Sequence, residues 1–455
     1  MSSMLQPVPP SAPVEATRIL AGFAVDLRWE HMPSKVVQEA KRALVDCLGV
    51  AYAGSRDPVA EKTLKVYAAR GGKAEAHLVG HDRKLDLLSA TLLNGIAMHA
   101  LDFDDTHADF FYHGTVPVAP AVWALGETLH CTGRELLTAF VVGWEVGARI
   151  ARAVYPALYL KGWQGTATVG TFAATAAAGR LLGLDEHGMR NAFGLAAAQA
   201  GGTRQMLGTM SKPFQVGKAS MNGVLSALLS KEGVTSSLVA LEAPLGFVAL
   251  TASKFDLTLA VRDRFENYEL LRNTYKPYPC CLKHHAVVDA FLSLQRDHGV
   301  TPARLRQAVC TVYPALLDTA NVDEPATGAE GKFSVQHSAA VALADGAAAL
   351  PQYTDERVRD PLLAALRKKL KFVADARIGP AQCELQVECT DGARIRLKIE
   401  HAQGGIDRPL SDDEIEAKFL TTAASVAGAD RLKRTLEEIR SLETVPDVAL
   451  IPQAW

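Results

Sequence analysis

The sequence lacks a strong net charge, a long apolar run and any Cys-x-x-Cys pair. Its 455 residues carry a formal net charge of −2, so bulk electrostatics favour neither nucleic acid nor an anionic membrane as a partner. No stretch is apolar over the roughly 20 residues that a membrane-spanning helix needs. The seven cysteines are odd in number, which fits a reducing cytoplasm better than a disulfide framework. These absences predict a cytoplasmic protein without a membrane segment.

The composition is ordinary for a globular protein, but the length exceeds what one core accommodates. Hydrophobic residues make up 48% of the chain and charged residues 22%, which is the usual balance. Because 455 residues are too many for a single hydrophobic core, we expect two domains. Residues 1–14 are rich in proline and serine and are expected to form a mobile tail.

The apolar periodicity changes along the chain. Over residues 15–265 apolar positions recur every three or four residues, which predicts an all-helical domain. Residues 266–407 mix helical patterns with β-branched segments and predict a smaller α+β domain. Residues 408–455 return to a helical pattern, and we expect them to pack back onto the helical domain. The predicted fold class is therefore mainly α.

The clearest local prediction is a β-hairpin. Leu385, Val387 and Cys389 alternate with polar residues, and residues 395–399 repeat that alternation. Asp391-Gly392 between the two segments suits a tight turn. Among the predicted helices are residues 84–99, 117–130, 133–154, 166–182, 185–200, 213–231, 338–350 and 355–370.

Four carboxylates and three histidines are crowded into a short segment at the end of one predicted helix. They are His99, Asp102, Asp104, Asp105, His107, Asp109 and His113. Unpaired buried carboxylates are costly, so these side chains must be exposed, paired, metal-bound or hydrogen-bonded at a site. A solvated loop with a capping aspartate explains the same composition, and composition alone does not separate these interpretations.

Two further segments place polar side chains at the starts of predicted helices. Gln164 and Thr166 precede a small-residue helix, whose free N–H groups could bind an anion; an ordinary N-cap by Thr166 is the simpler alternative. Arg204 can grip a carboxylate with paired hydrogen bonds. Lys212 stands just before Pro213, the expected first helical position. Such a lysine can act as acid or base when buried, although most lysines are surface residues.

The fourth segment reads Y-K-P-Y-P-C-C from residue 275. Its two prolines fix the backbone and set the directions of Lys276, Tyr278 and Cys281. The two adjacent cysteines are poorly placed to form a disulfide or to chelate a metal, so we expect packing or modest polar roles for them. His285 follows closely behind.

Taken together, these four segments resemble the MmgE/PrpD family, which contains 2-methylcitrate dehydratase, cis-aconitate decarboxylase and iminodisuccinate epimerase. The resemblance runs from about residue 16 to residue 425, and it rests on HALDFDDTH, on GTMSKP preceded by an arginine, and on KPYPCC followed by two histidines. It implies a large all-helical domain, a smaller α+β lid domain with the active site between them, and a homodimer. It also implies that neither a metal nor an organic cofactor is needed.

The resemblance also implies roles for particular residues. The catalytic candidates are Asp102, Thr106, His113, Lys212 and Lys276. The substrate-binding candidates are Gln164, Arg204, Tyr278, Cys281 and His285. The family commonly has histidine where Gln164 and Gln215 stand, and its decarboxylase-like members have histidine at the position of Cys281.

These residues suit removal of a proton next to a carboxylate. Lysine and arginine can hold carboxylates and neutralise the enediolate-like charge that forms. Histidine exchanges protons near neutral pH, which makes His113 the first choice for base or acid. Asp102 could orient His113 or Thr106, or be the base itself. We predict a cofactor-independent lyase or isomerase of a small di- or tricarboxylic acid, with dehydration of the 2-methylcitrate type favoured over epimerisation or decarboxylation.

Three other functions remain open from the sequence. Asp104-Asp105-x-x-x-Asp109 at a helix end also suits a magnesium-dependent prenyl or terpene synthase, although the sequence offers no second metal motif. A hydrolase metal could instead be held by His99, Asp104, Asp105 and His107. The glutamines at family histidine positions would suit a protein that binds carboxylates without catalysis.

Overall fold

Helices dominate the first part of the chain, as the apolar periodicity predicts. The computed structural model describes the backbone of residues 14–454 and the side chains of residues 14–451; residues 1–13 of the predicted tail lie outside that range. The helices are α1 (Ala16–Asp26), α2 (Ser34–Gly54), α3 (Pro58–Ala68), α4 (Leu87–His99), α5 (Thr115–Leu129), α6 (Gly133–Val154), α7 (Ala157–Leu160), α8 (Gly165–Leu181), α9 (Glu186–Ala197), α10 (Ser211–Lys231), α11 (Phe247–Thr251) and α12 (Thr258–Val261).

The ends of these helices follow local capping. The predicted helix 133–154 coincides with α6, which begins after a capping box formed by Thr132 and Glu135. Helix α4 begins at residue 87 rather than 84, because the Asp86 side chain accepts a hydrogen bond from the backbone N–H of Ser89. Helix α10 begins two residues before Pro213, so Lys212 lies inside its first turn.

Small residues let α10 approach its neighbours closely. A Cβ atom at Gly217 would lie 2.4 Å from the carbonyl oxygen of Leu92 on α4. A Cβ atom at Gly223 would lie 2.3 Å from the Cβ atom of Ala174 on α8. Real side chains do not tolerate such distances, so glycine is required at both positions. The close packing fixes α10 against α4, whose C-terminal end leads into the carboxylate-rich segment.

Two short antiparallel ladders accompany the helices, one local and one between distant segments. The first pairs β1 (Ala76–His77) with β2 (Lys84–Leu85). The second pairs β3 (Thr106–His107) with β4 (Asn273–Thr274). In the second ladder the Thr274 hydroxyl donates to the carbonyl oxygen of Thr106 at 2.6 Å. This ladder holds the carboxylate-rich segment beside the segment that carries Lys276.

A mixed four-stranded sheet organises the later part of the chain. It contains β5 (Leu305–Val312), β6 (Leu370–Ala374), β7 (Cys383–Cys389) and β8 (Arg394–Ile399), in the spatial order β6-β5-β7-β8. Strand β5 runs parallel to β6 and antiparallel to β7. The predicted hairpin is confirmed as β7–β8, and Gly392 in its turn has a φ of 85°, which glycine adopts without strain.

Six helices accompany this sheet. They are α13 (His285–His298), α14 (Pro314–Thr319), α15 (Gly328–Gly331), α16 (Val335–Asp345), α17 (Asp355–Val358) and α18 (Pro361–Arg367). The predicted single helix over residues 355–370 is wrong: it divides into α17 and α18, and its last residue begins β6. Pro361 lacks a backbone N–H and cannot continue α17, so Asp360 instead caps a new helix by accepting from the backbone of Leu362.

The C-terminal residues return to the helical part. Helices α19 (Asp412–Ala423) and α20 (Ala429–Arg440) follow the sheet, and a capping box of Ser411 and Glu414 begins α19. The Lys418 ammonium lies 2.7 Å from the buried carboxylate of Asp46 on α2. This ion pair, together with apolar packing of Phe419, holds α19 against the helical core.

Buried apolar side chains fall mainly into two groups. One spans residues 16–275 and residues 410–451, and the other spans residues 280–402. No helix in the described part of the chain is both long and apolar enough to cross a bilayer. The mainly α fold class is confirmed, while the division into a helical domain and a lid remains a proposal.

Candidate active site

A cleft of about 660 Å³ brings most of the predicted site residues together. It lies where residues 102–212 of the helical part meet residues 276–333. Eight of the ten candidates line it, namely Asp102, Thr106, His113, Gln164, Arg204, Lys212, Lys276 and Cys281. The spatial convergence expected of these distant segments is therefore present.

A carboxylate between two ammonium groups forms the centre of the cleft. The Lys212 ammonium lies 2.6 Å from Oδ1 of Asp102, and that of Lys276 lies 3.3 Å from Oδ2. Lys276 also donates to the backbone carbonyl of Asp102 at 2.9 Å. Asp102 has a left-handed backbone with a φ of 52°, a conformation that aspartate tolerates better than most residues. This backbone turns its side chain toward both lysines.

The charges in this group hold one another in the ionised state. Burial alone would raise the pKa of Asp102, but Lys212 and Lys276 outweigh it and bring that pKa below its usual range. Burial alone would lower the pKa of Lys276, but Asp102 outweighs it and raises that pKa. A carboxylate with a lowered pKa is a weak base. Asp102 is therefore poorly suited to remove a C–H proton, and its place is that of a counter-ion to the lysines.

The histidine of the cleft is oriented by Asp104 rather than by Asp102. Asp104 is fully buried, and its Oδ2 atom lies 2.7 Å from Nδ1 of His113 and 2.9 Å from Nδ1 of His99. Burial lowers the pKa of His99 to about 4, so His99 is neutral near pH 7. Its Nδ1–H group donates a hydrogen bond to Oδ2 of Asp104. The contact at Nδ1 of His113 leaves Nε2 of that ring for a ligand. The expectation that Asp102 orients His113 is thus wrong, since Asp102 is occupied by the lysines.

Replacing Asp104 by asparagine should show whether Asp104 orients the imidazole of His113 or contributes to substrate binding. We expect Asp104→Asn to lower kcat by about 10²-fold, because the imidazole of His113 loses the carboxylate oxygen that lies 2.7 Å from its Nδ1 atom and orients the ring. KM should change less than about threefold, since Asp104 does not line the cleft. Steady-state kinetics and thermal unfolding of the variant check this. Equal damage to kcat and KM with a large fall in Tm would indicate a structural role instead.

The other lining candidates meet the cleft through well-defined local structure. Gln164 caps α8 by accepting from the backbone of Ala167 at 3.1 Å, so the capping assigned to Thr166 belongs to this glutamine. Thr106 lies in β3, and its hydroxyl is 3.4 Å from the carbonyl oxygen of Tyr112. Residues 164–166 at the start of α8 line the cleft. The N–H groups at the start of a helix favour a bound anion.

Two substrate-binding candidates lie outside the cleft. Tyr278 donates its hydroxyl proton to Asp289 at 2.6 Å. His285 is completely buried, and its ring packs edge-on against that of Tyr278. Neither lines the cavity, because the turn at residues 278–284 directs them into the sheet-containing part. We therefore withdraw a direct substrate contact for both residues.

The structure separates the residues that both metal hypotheses require. Asp109 forms an exposed ion pair with Arg272, and Asp105 accepts from Thr115 and Asn273. The aspartates expected to bind magnesium in a terpene synthase thus have different partners. His107 lies 3.1 Å from Glu269, so the proposed hydrolase ligand set does not converge either.

One different group places possible metal ligands close together. His99, Asp104 and His113 offer ligand atoms that all lie within 4.8 Å of one another. However, both histidine Nδ1 atoms are 2.7–2.9 Å from the same carboxylate oxygen. Ligands of one tetrahedral zinc ion stand about 3.3 Å apart, given metal–ligand distances near 2.0 Å. The observed spacing fits direct contact among the three side chains.

Sequence reasoning missed several residues of the cleft. Phe111, Tyr159, Lys283, Thr319 and Phe333 all contribute to its walls. Lys283 belongs to a segment whose motif was recognised, so its charge was a usable signal. Phe111 also lies in the recognised segment between His99 and His113, but an aromatic residue there does not by itself indicate a cleft wall. Tyr159 and Thr319 lie in segments that resemble ordinary helix and loop sequence.

Both halves of the chain match sequence models of one protein family. A sequence model of the MmgE/PrpD N-terminal domain matches residues 18–260, and one of the MmgE/PrpD C-terminal domain matches residues 278–444. The chain belongs to the MmgE/PrpD family. The family prediction made from four short motifs is thereby confirmed.

Curated relatives of this MmgE/PrpD chain match it over nearly their whole length. Cis-aconitate decarboxylase of Mus musculus is 27% identical over 453 residues, covering 96% of this chain and 92% of the relative. Cis-aconitate decarboxylase of Aspergillus terreus is 28% identical over 467 residues, covering 95% and 94%. The Homo sapiens protein of the same name is 27% identical over 446 residues, covering 93% and 91%.

Three positions of this chain differ from the histidines expected from the MmgE/PrpD resemblance, and two of them line the cleft. Gln164 and Cys281 both line the cavity. The resemblance leads us to expect histidine commonly at the position of Gln164 in the family, and at the position of Cys281 in its decarboxylase-like members. Gln215 instead bonds the backbone of Thr203 with both ends of its amide. Among the described residues, His113 is the one histidine that lines the cleft. His113 is therefore the imidazole that a ligand in this cleft can contact.

Proposed function

We propose that this chain is an enzyme of the lyase type that acts on a small tricarboxylic acid through proton transfer next to a carboxylate. The observation that carries the proposal is the placement of Lys212 and Lys276 around Asp102, with His113 in the same cleft. Two ammonium groups and one carboxylate carry a net positive charge, which can attract a negatively charged substrate. The names of the curated relatives support a lyase and a tricarboxylic acid.

The favoured reaction is dehydration of the 2-methylcitrate type. Neutral His113 would take the proton from the carbon next to a carboxylate, and the electron pair would move into that carboxylate as an enediolate. Lys212 and Lys276 would stabilise this charge, because their ammonium groups already stand in a buried site where electrostatic interactions are strong. Collapse of the enediolate would form the double bond and expel the β-hydroxyl, which leaves as water after gaining a proton from one of the ammonium groups.

Decarboxylation is the second candidate, and the relatives favour it because several are named cis-aconitate decarboxylase. In that reaction the C–CO₂ bond would break and its electron pair would form a new double bond to the adjacent alkene carbon. The pair of the original double bond would move to its far carbon, and protonated His113 would supply the proton to that carbon. Both reactions use the same cations and the same histidine. They differ in the leaving group, so product analysis distinguishes them.

The purified protein would be incubated separately with 2-methylcitrate, citrate and cis-aconitate, and the products identified by NMR together with measurement of released carbon dioxide. Loss of water from the hydroxy acids without release of carbon dioxide supports the favoured reaction. Release of carbon dioxide from cis-aconitate supports the second candidate. Absence of turnover and of proton exchange with all three acids contradicts the proposal. Metal analysis of the same preparation tests the expected independence from metal.

The proposal also includes an arrangement for the whole chain. Residues 266–407 would act as a lid over the cleft, and the enzyme would be a cytoplasmic homodimer without a cofactor. The separate apolar cluster of residues 280–402 supports a second domain. So does the interval between the two matched family segments, residues 18–260 and 278–444.

A further inference from the structure

A second cationic group lies in the cleft apart from the Asp102 pair. Lys283 is in a short turn at Leu282–His284 and is only 5% exposed. Its ammonium lies 4.1 Å from the centre of the Phe111 ring and bonds the hydroxyl of Thr319. No described carboxylate approaches it within ion-pair distance, and burial lowers the pKa of Lys283.

Arg204 stands in the same wall of the cleft. Its guanidinium lies 3.8 Å above the centre of the Tyr159 ring and donates to the carbonyl oxygen of that residue at 3.0 Å. Its Nε atom is buried and has no partner among the described residues. The amide of Gln215 fixes the backbone of the preceding Thr203, so the loop that presents Arg204 is held in place.

The two cations lack the compensation that the central lysines have. Lys212 and Lys276 share the carboxylate of Asp102, whereas Arg204 and Lys283 contact an aromatic ring, a hydroxyl and a carbonyl group. Lys283 is buried, whereas Arg204 is partly exposed with a buried Nε atom. A buried charge without a counter-charge is unfavourable. A ligand carboxylate would supply that counter-charge and accept from the unpartnered Nε atom of Arg204.

We propose that Arg204 and Lys283 form a second carboxylate subsite, which selects acids that carry a carboxylate away from the reacting centre. This inference rests on the proposed function, because it assumes that the central lysines hold the reacting carboxylate. It predicts that the enzyme binds acids with two or three carboxylates and discriminates against monocarboxylates. Arg204, expected from the sequence to bind substrate, would then act together with Lys283, which the sequence motifs did not single out.

The test measures binding rather than turnover. Tricarballylate, with three carboxylates, and butyrate, with one, are titrated into the full-length protein by calorimetry. We expect Lys283→Met to weaken tricarballylate at least tenfold and to change butyrate less than twofold, since one carboxylate can use the central lysines alone. Lys254→Met, at an exposed lysine, serves as the matched control and should bind both acids as the wild type does.

One further variant and one thermal measurement separate a binding role from a structural one. Lys283→Arg keeps the charge and should retain tricarballylate affinity within about threefold of the wild type. The ligand-free Lys283→Met protein should melt at the same temperature as the wild type or higher, because an uncompensated buried charge is removed. A clear fall in its Tm, or equal weakening of both acids, would overturn the subsite.

Failure of this inference is distinguishable from failure of the proposed function. Turnover of a tricarboxylic acid with Lys283-independent binding would leave the lyase standing and overturn the subsite. Lys283-dependent binding of tricarballylate without turnover of any acid would support the subsite and overturn the lyase activity. A phosphomonoester acid that binds more tightly than tricarballylate through Lys283 would show that the subsite prefers phosphate, and it would overturn selection for a carboxylate.

Discussion

Lys212→Met is expected to lower kcat/KM on the order of 10³-fold, equivalent to about 4 kcal/mol of lost transition-state stabilisation. The methionine keeps the length of the side chain in the first turn of α10 but removes the ammonium that lies 2.6 Å from Asp102. Asp102 retains Lys276 as a counter-ion, so the fold should persist. Steady-state kinetics on the acid that the wild type converts provide the measurement.

Lys218→Met is the matched control for this variant. Lys218 lies on the same helix and is exposed to solvent, so its loss should leave kcat/KM within about twofold of the wild type. A rate for Lys212→Met within threefold of the wild type would show that the central ammonium does not stabilise the transition state.

His113→Asn should reduce kcat by about 10³-fold and leave acid binding nearly unchanged. Asparagine preserves a polar side chain of similar reach but cannot take or give a proton near neutral pH. His113 is the one described histidine in the cleft, and its Nδ1 atom already contacts Asp104. Its loss should therefore affect the chemical step more than the affinity, which kinetics and calorimetric titration measure separately.

The control for the histidine variant is His187→Asn on the exposed surface of α9. It should be indistinguishable from the wild type in kcat and in Tm. A His113→Asn enzyme that retained more than a tenth of the wild-type kcat would assign the proton transfer to a different group, with Lys212 the next candidate in the cleft.

Much of the fold follows from short-range pattern in the sequence. The helix α6 and the hairpin β7–β8 were predictable because apolar spacing, capping residues and turn residues all agreed there. Residues 355–370 were not, because a proline after a capping aspartate interrupts a pattern that still looks helical. The local apolar pattern also does not show that residue 370 begins a strand. That strand, β6, forms by pairing with β5, which lies far away in the sequence.

The candidate site was predictable as a group of segments but not as a set of contacts. Family motifs brought Asp102, Lys212 and Lys276 into one cleft, and the structure places them in contact. The sequence did not indicate that Asp104, rather than Asp102, contacts His113. The two aspartates are only two residues apart, and the local backbone determines which carboxylate faces the lysines and which faces the histidines. The left-handed backbone of Asp102 sets that choice.

The positions of Tyr278 and His285 outside the cleft could likewise not be predicted from the motif. Both stand in a recognisable segment next to Lys276, yet the turn that follows directs them into the second apolar cluster. Lys283, in the same turn, faces the cleft instead. A motif locates the backbone segment of a site, whereas the direction of each side chain depends on the tertiary packing around it.

The most direct measurement is the exchange of substrate hydrogen with heavy water, followed by NMR at the carbon next to each carboxylate. The wild-type enzyme should incorporate deuterium into a tricarboxylic acid at one such carbon, and His113→Asn and Lys212→Met should abolish that signal while still binding the acid. Unchanged exchange in both variants would contradict proton transfer at this cleft.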